Sequence, residues 1–297
     1  MKKPLFIISV CLLAVLTFSC NKQFEPKVIH NAVKDYDGNS YDAVKIGKQV
    51  WMKTNLRTTH YADGTPIAQG IAELDHTPGY CEVPGSDVST YGLFYNWYAA
   101  VRDTTVAGKV QGVCPKGWHL PNDEEWKTLI DFAANHYGYR YGDRWTGSAR
   151  SLAADAGWEY EPPVNEDSLR HVFDSLTAND PDWNPNNIPW EESNDYIAYW
   201  QQFIETYPYC PGADPSKNNE SQFTALPVGE CYLGTVTNLA FGHSCCFWSS
   251  TPSSYLDGVA HVMWLYKGNA GATVSDDNGI DYGRDKWYGN SVRCLRD

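Results

Sequence analysis

Positive charge is scarce in this chain: 23 Lys and Arg stand against 36 Asp and Glu, a formal net charge of −13. That balance excludes a protein that grips nucleic acid or an anionic lipid surface by charge, and it suits a solvated exterior. After Phe18 there is no long hydrophobic run, so nothing downstream offers the roughly 20 apolar residues a bilayer span needs. No CxxC and no paired Cys/His spacing occurs, which removes the usual sequence signs of a zinc site. No internal repeat is evident. Nor do a nucleophile, a base and an oxyanion donor stand in any recognised motif, so the sequence carries no catalytic signature.

What is present begins with an export signal. Lys2 and Lys3 precede an apolar stretch over residues 5–18, about 14 residues long, the pattern of a secretory leader. Small Ser19 stands before Cys20, which suits lipoprotein processing with Cys20 as the lipidated new N-terminus. Thr17 holds the place where such signals carry Leu, and Leu16 sits one position further back, so ordinary cleavage or an uncleaved anchor stays open. Asn21 follows, with no aspartate to signal inner-membrane retention, which favours an outer-membrane address and leaves surface exposure open. Loss of Lys2 and Lys3 with residues 1–19 would take the net charge from −13 to −15. The expected organisation is a signal peptide at 1–19, a lipidated tether at 20–32 and one domain at 33–297.

Aromatic residues are abundant, with 12 Trp and 20 Tyr, and their apolar faces with polar tips serve cores and sugar- or peptide-binding surfaces alike. Nine cysteines are present. Apart from Cys11 and Cys20 these are Cys81, Cys114, Cys210, Cys231, Cys245, Cys246 and Cys294, most of which should pair in an oxidising compartment. Cys245 and Cys246 are adjacent and should take different partners.

Ala43 to Met52 reads as two short strands about a Gly47-Lys48 turn. The clearest helix spans about 122–136: Asn122 is an N-cap, Glu125 completes a capping box, and Trp126, Leu129, Ile130 and Ala133 recur at helical spacing. A shorter helix is expected around 149–156. The dense aromatic run at 91–101 reads as core, helical or irregular. From 158 to 221 prolines recur among Asp, Glu and Asn, the mark of a large irregular insertion, with a helix possible at 196–207. Strand-like text returns at 223–229, 246–251, Val259–Tyr266 and 290–297. The expected fold class is α+β.

Several blocks in this order resemble the Fibrobacter succinogenes major paralogous domain family of exported bacterial proteins. They are Val44 to Met52 with Asn55-Leu56, then Tyr91-Gly92-Leu93-Phe94-Tyr95-Asn96-Trp97, then Cys114-Pro115-Lys116-Gly117-Trp118-His119-Leu120-Pro121. Phe223-Thr224-Ala225-Leu226-Pro227, Phe247-Trp248-Ser249-Ser250-Thr251 and Ser291-Val292-Arg293-Cys294 complete the match. The family brings no established biochemical activity. The second half is also similar in kind to the C-type-lectin-like fold, including its formylglycine-generating branch. That resemblance implies a C-type-lectin-like core and a disulfide between Cys114 and Cys294. The copper-binding cysteine pair of the formylglycine branch is not reproduced by Cys245 and Cys246.

Candidate sites are few. Trp145, Trp183, Trp190 and Trp287 sit in polar, loop-like text where exposed rings could stack on ligand, while Trp118, Trp126, Trp248 and Trp264 read as core. Asp276, Asp277, Asn278 and Asp281 form an oxygen-rich cluster that could hold calcium, although such turns are commonly hairpin tips and the lectin calcium tripeptides are missing. No other cofactor is expected. The His243-Ser244-Cys245-Cys246 run is better read as disulfide chemistry than as a nucleophile with its base. Together these readings describe a lipid-anchored envelope protein displaying a non-enzymatic binding or adhesion module for glycan or protein, with no nucleic-acid partner. An extracellular hydrolase or oxidoreductase is the main rival, and a structural envelope lipoprotein the third.

Overall fold

A computed structural model describes residues 25–74, 76–83, 85–103, 108–141, 144–161, 207–232, 241–276 and 283–297. The α+β expectation with its C-type-lectin-like core is corrected by this structure. The described residues form fifteen strands in three sheets, against four helices of which one exceeds five residues. The fold is β-rich. One strong helix signal had weighed too heavily against strands of two to four residues, which are too short to show a period of their own.

The four helices are α1 (Val88–Tyr91), α2 (Trp97–Val101), α3 (Asp123–Tyr137) and α4 (Ser148–Leu152). α3 is the helix expected from Asn122: the Asn122 side chain accepts from the Glu125 N–H, and the Glu125 carboxylate accepts from the Asn122 N–H. Trp126, Leu129, Ile130 and Ala133 are buried along one stripe. Each large apolar side chain so buried contributes about 1.5–3 kcal/mol. The run at 91–101 divides into a strand, Leu93–Tyr95, and α2 capped by Asn96. The text at 223–229 makes isolated bridges, Ala225 to Ala153 and Gly229 to Cys245, in place of a strand.

The first sheet has the order Lys27–Lys34, Ser40–Ile46, Gln49–Met52, Leu295–Arg296, Trp118–His119. Ser40–Ile46 and Gln49–Met52 form the hairpin expected about Gly47, whose φ of +59° lies where a side chain is strained. The end of the chain threads into this sheet, with Leu295 opposite Trp51 on one side and His119 on the other. There Cys294 is bonded to Cys114 across 180 residues, the pairing the resemblance implied.

The second sheet runs Thr273–Val274, Val259–Tyr266, Ser244–Pro252, Asn290–Ser291, Leu93–Tyr95, Gly79–Glu82, Ala68–Gln69, with Arg284–Asp285 also paired to Val259–Tyr266. Side chains alternate across its strands, so each face serves a different core. One face packs Tyr95, Trp248, Val262 and Val292 with α2 and the first sheet. The other packs Phe247, Met263 and Leu265 with α3, α4 and Phe223. The described ends of the expected insertion return to α4: Ser221 N–H donates to Ser151 O, and Asn218 Nδ2 to Ala154 O. Residues 162–206, with the helix expected at 196–207 almost entirely inside them, lie outside the described residues.

Candidate functional site

A row of side chains crosses the second sheet on the face that carries Trp248 and Val292. Trp264 is opposite Cys246, and Asn290 is opposite Tyr95, which is opposite Tyr80. Phe247 is level with Ser291 on the neighbouring parallel strand. Cys246 and Asn290, one residue earlier on each, therefore stand side by side, which places Trp264 and Asn290 two strand spacings apart, about 10 Å.

Two members of this row break the rule that buried polar groups are paired. Asn290 is completely buried, yet neither its Nδ2 nor its Oδ1 has a hydrogen-bond partner among the described residues. Trp264 Nε1 is buried and equally orphaned. Each such group costs about 1–3 kcal/mol. Their neighbours are satisfied: Tyr95 Oη donates to Thr58 O at 2.7 Å, and Trp248 Nε1 donates to Tyr95 O at 2.7 Å.

Tyr80, Tyr98, Trp264 and Tyr288 are half-buried rings packed against the core that holds Tyr95, Trp248 and Val292. The Lys286 ammonium lies 4.8 Å over the Trp97 ring, and His76 stacks on Tyr98 with centroids 5.0 Å apart. Burial raises the Tyr98 phenol pKa, and Asp257 and Asp285 add to it. Burial also raises that of Tyr288, helped by its bond with Tyr232. Both phenols therefore stay protonated donors at neutral pH. The rings have apolar faces, and beneath them the buried amide leaves a donor pair and an acceptor unused and the buried indole a donor.

Of the tryptophans expected at a site, Trp287 belongs to this region as its anchor. It is 8 % exposed, with its ring 5.8 Å from Tyr232 and 4.6 Å from Tyr288. Trp183 and Trp190 lie outside the described residues, as does the side chain of Trp145 on the strand Arg144–Thr146. Convergence of the four is thus not described. Asp277, Asn278 and Asp281 likewise lie outside, leaving Asp276 alone of the calcium candidates. Among the described residues no group of three His, Cys, Asp or Glu is placed to hold a metal. Sequence reasoning assigned Trp264 to the core and missed Asn290. The available signal was the strand period: Asn290 shares its face with Val292 and Cys294, so a polar residue occupies an inward position.

Other polar clusters are structural. Asp123 accepts from Ser249 Oγ at 2.5 Å, and its other oxygen is 2.6 Å from His261 Nδ1. The carboxylate sits between serine and histidine, whereas a nucleophile needs the histidine on the serine. His119 is held between Glu125 at 3.0 Å and Asp297 at 2.7 Å, tying α3 to the end of the chain. Burial alone would lower its pKa, but the two carboxylates outweigh burial and the pKa is raised. Burial pushes the Cys245 thiol up to about 12, which leaves it protonated and unreactive. A cleft of about 360 Å³ lined by Asp63, Arg102, Lys109 and Lys116 lies elsewhere, its Arg102 already paired to Asp63 at 2.8 Å.

Compared with known proteins, residues 44–296 match the family model described as the Fibrobacter succinogenes major domain. No curated protein and no solved structure matches the chain.

Proposed function

The chain belongs to the Fibrobacter succinogenes major domain family, and from that premise we propose that it is a lipid-anchored envelope protein whose domain binds glycan without transforming it. What carries the reading is the orphaned Asn290 amide and Trp264 indole within a rim of half-buried aromatic rings. Sugars present apolar C–H faces that stack on aromatic rings. Their neighbouring hydroxyls both donate and accept, matching an amide that offers one of each. A buried polar group kept without a partner costs stability, and such a cost is typical of sites shaped for a ligand. The Ser249, Asp123 and His261 arrangement lends the enzyme reading no support.

The test is a glycan array probed with the purified full-length chain, followed by calorimetry on the hits. Asn290→Leu should weaken binding at least about tenfold, the equivalent of one buried hydrogen bond. The same change should leave the fold as stable as the parent or up to about 1 kcal/mol more stable, because no native partner is lost. An array without hits, hits that ignore Asn290→Leu and Tyr98→Ala, or turnover of any hit would sink this reading. Binding to envelope proteins alone would replace glycan with a protein partner.

Anchoring is proposed from Lys2, Lys3, the apolar run and Ser19-Cys20, and an outer-membrane address from Asn21 in place of a retention aspartate. No described helix is long and apolar enough to cross a membrane. In cells fed an alkyne-tagged fatty acid, the parent should take up label and Cys20→Ala should take up none; label retained by Cys20→Ala would remove the anchor.

A further inference from the structure

Among the described residues, five cysteines outside the Cys114–Cys294 bond are buried. Their surroundings differ. Cys245 and Cys246 are successive residues of one strand and so face opposite ways. Cys81 and Cys231 instead share one small core with Val83, Phe94 and Val228.

Strand pairing brings these two together. Cys81 is opposite Phe94, which is in turn opposite Ser291. Two residues before Ser291, Gly289 exchanges backbone hydrogen bonds with Cys231, N–H to O at 2.8 and 3.0 Å. A side chain at Gly289 would place its Cβ 2.9 Å from Cys231 Cβ and 3.1 Å from Phe94 Cβ. Glycine thus opens the space that lets the Cys231 side chain reach over toward the Phe94 and Cys81 strands. The two thiols lie within reach of each other in that core.

We propose that Cys81 and Cys231 form a second disulfide when the exported chain folds. The pairing stands on the geometry alone; its formation in the cell rests on the export reading. The oxidant is a disulfide-bearing thiol oxidoreductase or a small disulfide. One of the two, as thiolate, attacks one sulfur of that disulfide, forming a mixed disulfide and releasing one oxidant thiolate. The other thiol then loses its proton to solvent and displaces the second oxidant sulfur. Two protein thiols are oxidised and one oxidant disulfide is reduced to two thiols. The bond would fasten the strand Gly79–Glu82 to the segment entering the aromatic site at Tyr232.

The experiment uses the full chain purified from an exporting bacterium, alkylated under denaturing conditions and digested without reductant. The expected result is one linked peptide pair joining Cys81 to Cys231, beside Cys114–Cys294, with Cys210, Cys245 and Cys246 alkylated. A parallel sample made in the cytoplasm is reduced, refolded and given oxidised glutathione. Formation of the Cys81–Cys231 link there supports the pairing whatever the chain's address, and distinguishes a failed export reading from a failed pairing. Alkylation of both cysteines in both samples, or a link from either to another cysteine, would overturn it.

Discussion

Arg293→Met should destabilise the domain by about 3–5 kcal/mol, read as a lower urea midpoint with an unchanged slope. Arg293 is completely buried, and among the described residues no carboxylate receives it. Its Nε donates to Asn55 Oδ1 at 2.8 Å. Nη1 donates to Met52 O at 3.1 Å and Phe223 O at 2.6 Å, and Nη2 to Thr224 O at 2.8 Å. The guanidinium also lies 4.8 Å over the Phe223 ring and 5.4 Å over Phe247. Burial pulls its pKa down to about 9, which leaves it a cation at neutral pH. The fork thus holds three separate segments, the Met52–Asn55 turn, the Phe223–Thr224 backbone and the end of the chain. Methionine fills much of the volume but orphans four buried acceptors at once. Arg293→Lys should recover only part of the loss, because an ammonium cannot reproduce the planar fork. A midpoint for Arg293→Met within about 1 kcal/mol of the parent would mean that the cage is relieved by rearrangement or water and contributes little.

One residue further along, loss of the Cys114–Cys294 bond should cost about 5 kcal/mol, the chain-entropy value for so large a loop. The bond closes 180 residues of chain and locks the last strand into the first sheet. The variant to make is Cys114→Ala with Cys294→Ala, which leaves no stray thiol. Its urea midpoint should fall well below that of the oxidised parent and, once the variant is itself reduced, coincide with that of the fully reduced parent. A double variant as stable as the oxidised parent would show that the sheet alone holds the terminus. Arg293 and Cys294 are neighbours on the same short segment, so their losses should not add in a combined variant.

How much was legible varied with the range of the interaction. α3 could be read to within a residue, since its cap, first turn and apolar stripe all lie within one local window. The hairpin about Gly47 and the strand Val259–Tyr266 were legible for the same reason. The α+β class was misread because the many two- to four-residue strands exist through their partners. Asn290–Ser291 pairs with Leu93–Tyr95 on one side and Ser244–Pro252 on the other, and nothing in its own two residues says so. Trp287 was noticed for its polar surroundings, but it is an anchor under Tyr232 and Tyr288.

By itself, the sequence determined the acidic character of the chain, its aromatic and cysteine stock, and the local elements that complete themselves within about 15 residues. Through its likeness to the C-type-lectin-like fold it also pointed to the Cys114–Cys294 bond. The tertiary structure decided which residues meet: Arg293 with its four acceptors, Cys81 with Cys231, and Asn290 with no partner among the described residues. The physical reason is that periodicity states which face a side chain takes, whereas its neighbours on that face are chosen by strand order. Here that order is set by pairings such as Leu295 between Trp51 and His119, which close across most of the chain.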